Sequence, residues 1–243
     1  MNILTIGNSF SQDATRYLHQ IAKSAGVHFQ VVNLEIGGCP LEKHFRNIKA
    51  DAKAYAFEFN GTYTGFQLSI KEALLNRNWD VITIQQVSTQ SPHYNTYQPY
   101  LNFCVDYIKE HCPKAKIYLQ QVWSYENGGT QLLNWTKFKD TDEMFENTKA
   151  SYDQAVIDCG AVGVIPSGET MLELMHGGFK VHRDGFHASL GLGRYAIALT
   201  WFSRLTGRSV DDVTFNEFDE PVSEEEIAAA KEAVKTVMER YQQ

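Results

Sequence analysis

No stretch of the chain approaches the roughly 20 consecutive apolar residues that span a bilayer, so no transmembrane helix is expected. The opening, Met1-Asn2-Ile3-Leu4-Thr5-Ile6, lacks the basic start and long apolar run of a secretory signal. It reads as a strand. A cytoplasmic protein is the expectation, with a trimmed leader as the alternative. The 4 cysteines (Cys39, Cys104, Cys112, Cys159) contain no CxxC pair, which removes zinc-type spacing and a disulfide scaffold alike. Reduced thiols are expected, Cys39 standing out beside a Gly-Gly turn. Basic charge is short: 22 Lys and Arg face 29 Asp and Glu, a formal net charge of −7. A general nucleic-acid binder needs a basic face to displace counterions from phosphates, so that class is disfavoured. Pro/Ser-rich linkers, low-complexity tracts and fixed-period repeats are missing too, which leaves a single domain over all 243 residues.

Short apolar runs bounded by polar residues are present instead. Residues 3–6, 81–84 and 117–119 read as buried parallel strands, with 29–34 and 162–165 beside them. Helical spacing of apolar residues occupies 12–25, 67–76, 97–111, 142–158 and 188–205. Strands alternating with helices imply a parallel sheet covered on both faces, a doubly wound α/β/α sandwich of five strands. Ser223 followed by Glu226 has the capping-box form and opens a C-terminal helix over 223–242. Two strand exits carry the same pair of amides, Gln85-Gln86 and Gln120-Gln121. Ligands of open α/β sheets bind at the carboxyl ends of the strands. These amides either point into a site there or simply terminate the strands.

Three segments could carry chemistry. The first strand leaves through Gly7-Asn8-Ser9-Phe10-Ser11, which is neither GxSxG, GxGxxG nor a Walker sequence. A serine at a helix start has an N–H without an intrahelical partner, and the dipole there favours developing negative charge. Its hydroxyl could attack an acyl carbon; alternatively Ser9 or Ser11 only caps the helix. Asp184-Gly185-Phe186-His187 places a carboxylate three residues before an imidazole, a spacing that lets Asp fix the tautomer of a general base. The plain alternative is a surface Asp and a satisfied His. A metal site from His176, His182, Asp184 and His187 has irregular spacing and is disfavoured, so no metal is expected.

Together these segments resemble the GDSL-type, or SGNH, hydrolases, a superfamily of serine esterases and lipases. Gly7-Asn8-Ser9-Phe10-Ser11 stands where that family has Gly-Asp-Ser-(Leu)-Ser. Gly37-Gly38 supplies its glycine after the second strand, and Asp184-Gly185-Phe186-His187 matches its terminal Asp-x-x-His. The resemblance runs from residue 1 to about 206 and implies a flavodoxin-like three-layer sandwich with a five-stranded parallel sheet. It implies a Ser9–His187–Asp184 triad and an oxyanion hole from the N–H groups of Ser9 and Gly38. No metal or organic cofactor follows from it. Two departures stand out. Asn8 replaces the family Asp but keeps an acceptor oxygen. The family's Gly-x-Asn-Asp block is missing, with Gln85-Gln86-Val87-Ser88 in its place. Gln86, or less favourably Gln85, would then donate the side-chain N–H that the family Asn supplies.

Aromatics lie outside the motifs: Tyr55, Phe57, Phe59, Tyr63 and Phe66, then Tyr94, Tyr97, Trp123, Tyr125 and Trp135. Rings with nearby amides suit a sugar, although core or lid packing would use them equally. The expected substrate is a small acyl ester, acetyl first, on a carbohydrate-like alcohol. A lipase or thioesterase of the same superfamily is the near alternative. A non-catalytic small-molecule or carbohydrate binder on the same fold is the distant one.

Overall fold

The computed structural model describes residues 1–241, so residue 242 of the expected terminal helix lies outside the described residues. Five strands form the parallel sheet that the pattern predicts: β1 (Asn2–Gly7), β2 (Gln30–Glu35), β5 (Val81–Ile84), β6 (Lys116–Gln120) and β7 (Gly163–Ile165). The sheet has seven strands rather than five, in the order β4-β3-β2-β1-β5-β6-β7. The two additional strands, β3 (Tyr55–Phe59) and β4 (Thr62–Leu68), are an antiparallel hairpin on the β2 edge. Their turn is Asn60-Gly61, with φ of 50° and 80°, the left-handed pair that a tight hairpin demands. That dipeptide is the sequence signal for the hairpin. The first aromatic group is therefore strand residues: Tyr55 is buried, whereas Tyr63 and Phe66 on β4 face solvent.

Helices cover both faces. The expected single helix at 12–25 is two, α1 (Ser9–Thr15) and α2 (Leu18–Ser24), parted at Arg16-Tyr17. There Arg16 turns aside to donate to Asp219 and to the Gly61 carbonyl, while Tyr17 donates to the Leu190 carbonyl. α3 (Leu41–Ala50), α4 (Ile70–Asn76), α5 (Tyr100–His111) and α6 (Thr141–Cys159) follow. α7 (Ser167–His176) has no counterpart in the sequence reading; α8 (Leu192–Thr206) does. The last helix, α9 (Glu224–Glu239), starts at the expected box: Glu226 N donates to Ser223 Oγ at 3.2 Å and Ser223 N to Glu226 Oε2 at 2.8 Å. It packs on α7 and α8. All four cysteines are free, and burial pushes the Cys39 thiol up to about 12. Among the described residues, no helix is long and apolar enough to cross a membrane.

Two histidines are sealed into this framework. His44 on α3 is fully buried, with Nδ1 2.8 Å from the Tyr55 hydroxyl, and burial drives its pKa down to about 3. His182 is buried with Nε2 3.0 Å from the Ser124 carbonyl, and burial takes it down to about 4. Both fold as neutral rings. Below pH of about 6.5 the unfolded chain binds protons there that the folded chain refuses, so stability falls on acidification. The melting temperature should therefore drop from about pH 6.5 toward about pH 4. His44→Gln should flatten that slope; parallel slopes for both proteins would contradict the assignment.

Candidate active site

Gly7 ends β1 in the centre of the sheet, and α1 begins two residues later. A Cβ on Gly7 would lie 2.6 Å from Ser11 Oγ and 3.1 Å from Gln85 Cδ, so only glycine fits this crossing. Ser11 itself is fully buried, and its Oγ lies 2.7 Å from both Asn8 O and Asn33 Oδ1. It is a packing serine. Ser9, at the first position of α1, is half-buried and its N–H has no acceptor within the helix.

Ser9 Oγ stands 2.9 Å from His187 Nε2. His187 Nδ1 lies 2.7 Å from Asp184 Oδ2. The other carboxylate oxygen accepts from the backbone N–H of His187 at 2.8 Å and of Phe186 at 3.3 Å. Partial burial pushes the Asp184 carboxyl up, but its bonds to His187 and Phe186 outweigh that and hold it below its ordinary value. An ionised Asp184 fixes the proton on Nδ1 and leaves Nε2 free to accept. The three residues named from the sequence are thus brought together, hydroxyl to imidazole to carboxylate.

The turn that carries Asp184 and His187 is braced from β6. Gly185, at φ 87°, accepts from Glu126 N at 2.8 Å. Trp123 Nε1 donates to Phe186 O at 2.8 Å. The Phe186 ring lies against the imidazole with centroids 3.8 Å apart. Trp123 stacks on Phe10 at 4.1 Å, and Tyr125 meets Phe186 edge-on at 5.6 Å. Tyr97, Trp123 and Tyr125 are core, whereas Trp135 is 52% exposed, with its ring centroid 5.1 Å from that of Phe186. An apolar wall of Phe186 and Trp135 therefore flanks His187. The sequence reading missed Phe186, although it adjoins the named histidine.

Asn8 fastens the turn that bears Ser9. Its Oδ1 accepts from Phe10 N at 3.0 Å and from Gln85 Nε2 at 2.9 Å; its Nδ2 donates to Cys39 O at 3.2 Å. The amide keeps the acceptor role of the aspartate it replaces and adds a donor. That donor ties the turn to the loop bearing Gly38, which has φ 61° and is exposed.

The glutamines require a correction. Gln86 is buried; Nε2 donates to Thr96 O and Thr96 Oγ1, both at 3.1 Å. Its Oε1 accepts from Leu41 N at 3.0 Å and Val87 N at 2.9 Å. Two donors and two lone pairs are all engaged, so no N–H remains for an oxyanion. Gln85 is buried as well and gives one of its two amide N–H groups to Asn8 Oδ1. The second pair is structural as well: Gln120 donates to Phe10 O, and Gln121 accepts from Glu169 N. Of the expected hole, Gln86 drops out, which leaves the backbone N–H groups of Ser9 and Gly38 and the second N–H of Gln85 as candidates. Of the residues in the metal alternative, His176 lies beside Asp142 and His182 beside the Ser124 carbonyl, while Asp184 and His187 face each other. No group of three or more His, Cys, Asp or Glu is placed to hold a metal ion among the described residues.

A family model described as "Domain of unknown function (DUF4886)" matches residues 2–237. The chain belongs to the DUF4886 family. The crystal structure of a DUF4886 family protein from Bacteroides uniformis ATCC 8492 is 32% identical, covers 100% of this chain and 96% of that one, and superposes with a TM-score of 0.91. More distant structures share the fold. A lipase/acylhydrolase from Enterococcus faecalis has 12% identity and a TM-score of 0.58, over 85% of this chain and 96% of the other. A family 3 carbohydrate esterase from Clostridium thermocellum has 14% and 0.52, over 84% and 94%. No curated protein matches the sequence. This DUF4886 chain thus has the SGNH-hydrolase fold, extended by the edge hairpin.

Asn8→Ala should remove three buried bonds and leave Gln85 Nε2 and Phe10 N unpaired, costing about 2–4 kcal/mol in denaturant unfolding. Gln86→Ala should likewise lower stability while leaving kcat and KM on nitrophenyl acetate each within a few-fold of its own wild-type value once folded.

Proposed function

We propose that this protein is an SGNH-type serine esterase that removes a small acyl group, acetyl first, from a carbohydrate-like alcohol. The arrangement of Ser9, His187 and Asp184 at the carboxyl ends of the parallel strands carries this reading. Ser9 Oγ attacks the ester carbonyl as His187 Nε2 takes its proton. Ionised Asp184 holds the Nδ1–H and stabilises the imidazolium. The N–H groups of Ser9 and Gly38 take the oxyanion, helped by the start of α1. Collapse returns the proton to the leaving alcohol, and water activated by the same histidine frees the acid and restores Ser9. No step calls for a cofactor.

Two observations support the substrate side. The exposed Trp135 and its neighbour Phe186 offer an apolar face beside His187, against which the axial hydrogens of a sugar can stack. Carbohydrate esterases are among the proteins that share the fold. One observation favours the second reading, a non-catalytic binder: Gln86 has no free amide N–H to take the place of the family's side-chain oxyanion donor. Loss of one such donor costs about 10²–10³ in rate, which predicts a slow esterase if the first reading holds.

A fluorophosphonate probe separates the two readings. The esterase should be labelled at Ser9 and hydrolyse nitrophenyl acetate faster than the octanoate, with acetylated sugars also turned over. Ser9→Ala and His187→Ala should each remove at least about a thousandfold of kcat with little change in melting temperature, because nucleophile and base act as a unit. Trp135→Ala should raise KM for acetylated sugars more than for nitrophenyl acetate. An unlabelled protein that binds sugars and turns over none of these esters is the binder.

A further inference from the structure

Asp13 lies on α1 four residues after Ser9, so the two side chains leave the same face of the helix one turn apart. Its carboxylate is completely buried. A buried charge persists only when it is paired and hydrogen-bonded, and Asp13 is both. Arg183 Nη1 donates to its two oxygens at 3.0 Å each, Arg194 Nε donates at 2.8 Å, and Ala188 N donates at 3.2 Å.

Arg183 and Ala188 are the residues on either side of the Asp184–His187 segment. The stem of that segment is closed by Arg183 N donating to His187 O at 3.1 Å and by a bridge between His182 and Ala188. Arg183 Nη1 also donates to the Ala188 carbonyl. Arg194, on α8, reaches onward to Asp219 Oδ2 at 2.8 Å. Asp219 in turn receives Nε and Nη2 of Arg16, at the far end of α1, at 2.7 and 2.6 Å. The C-terminal half of the helix that presents the nucleophile is thus clamped at Asp13 and Arg16, and the clamp grips the turn that presents the base.

The geometry points to Asp13 as a positioning residue that sets the distance between Ser9 Oγ and His187 Nε2 through Arg183 and Ala188. It touches neither the reacting serine nor the substrate. The inference rests on Ser9 as nucleophile. The rings of Phe186 and His187 meet α1 only loosely, at Phe10, with centroids 6.4 and 5.9 Å away, whereas Arg183 and the Ala188 N–H hold the Asp13 carboxylate by charge-assisted hydrogen bonds of defined length. A misplacement of about 1 Å between reacting groups is enough to cost about 10²-fold in rate.

Asp13→Asn keeps the shape and one acceptor but turns an amide toward the two arginines. On nitrophenyl acetate its kcat should fall by about 10- to 100-fold, with KM within about twofold of wild type. The low-field proton resonance of His187 Nδ1–H should shift or broaden. Arg183→Gln, at a partly exposed position, should repeat both effects more weakly, and it decides the matter if Asp13→Asn does not fold. A merely structural Asp13 would lower the melting temperature and leave kcat and the resonance in place, and that result overturns the inference. An inactive, unlabelled wild type would instead count against the esterase reading. The resonance comparison would then still test the clamp.

Discussion

The contact between Ser9 Oγ and His187 Nε2 joins residues 178 positions apart, and the carboxyl end of the sheet is organised around keeping it short. Neither partner can hold the other alone. A serine hydroxyl rotates freely, and a histidine on a surface turn has no reason to stop at one angle. The first is fixed by β1, because a strand running straight into α1 allows Ser9 one place. The second is fixed by a turn braced on three sides: Glu126 N and Trp123 Nε1 from the β6 exit, Asp184 from within, and Asp13 from α1 below. A hydrogen bond between such distant chain positions survives only where the loop entropy has already been lost to the core beneath it. The sheet, with Leu4, Ile6, Ile84 and Leu119 sealed between helices, is that core.

Polar groups divide into two kinds around this contact. Those that face outward are few: Ser9, His187, Asp184 and the exposed Gly38 loop. Those turned inward are many, and each of the amides among them makes at least one hydrogen bond. Asn8, Gln85, Gln86, Gln120 and Gln121 each connect a strand exit to a neighbouring loop or helix start. Where the SGNH pattern has an aspartate beside the serine and a Gly-x-Asn-Asp block, this chain has Asn8 and Gln85-Gln86. An amide both donates and accepts, so Asn8 can bond the glycine-bearing loop as well as its own turn. The cost of that arrangement is that Gln86 becomes part of the scaffold, with both amide N–H groups taken by Thr96. A site built this way is rigid in its frame and spare in its side-chain donors.

Local residues by themselves determined a good deal of this protein. Apolar runs gave the five parallel strands, because a strand buried on both faces reads as an unbroken hydrophobic stretch. Ser223 and Glu226 marked the start of α9, since capping acts within four residues. Gly7-Asn8-Ser9 and Asp184-Gly185-Phe186-His187 marked the site, because a tight turn at a strand exit and a carboxylate in reach of an imidazole are both short-range geometry. The edge hairpin was also legible, in Asn60-Gly61, but aromatic content masked its alternation. What tertiary structure alone decided was which partner each polar side chain took. Gln85 and Gln86 are adjacent and chemically identical, yet one meets Asn8, 77 residues away, and the other meets Thr96 and the start of α3. Asp13 looks like any helix-surface acid until Arg183, 170 positions on, closes over it. Hydrogen bonds of this kind depend on the relative placement of whole elements to within an ångström. That placement comes from the packing of the entire core, which no short stretch of sequence contains.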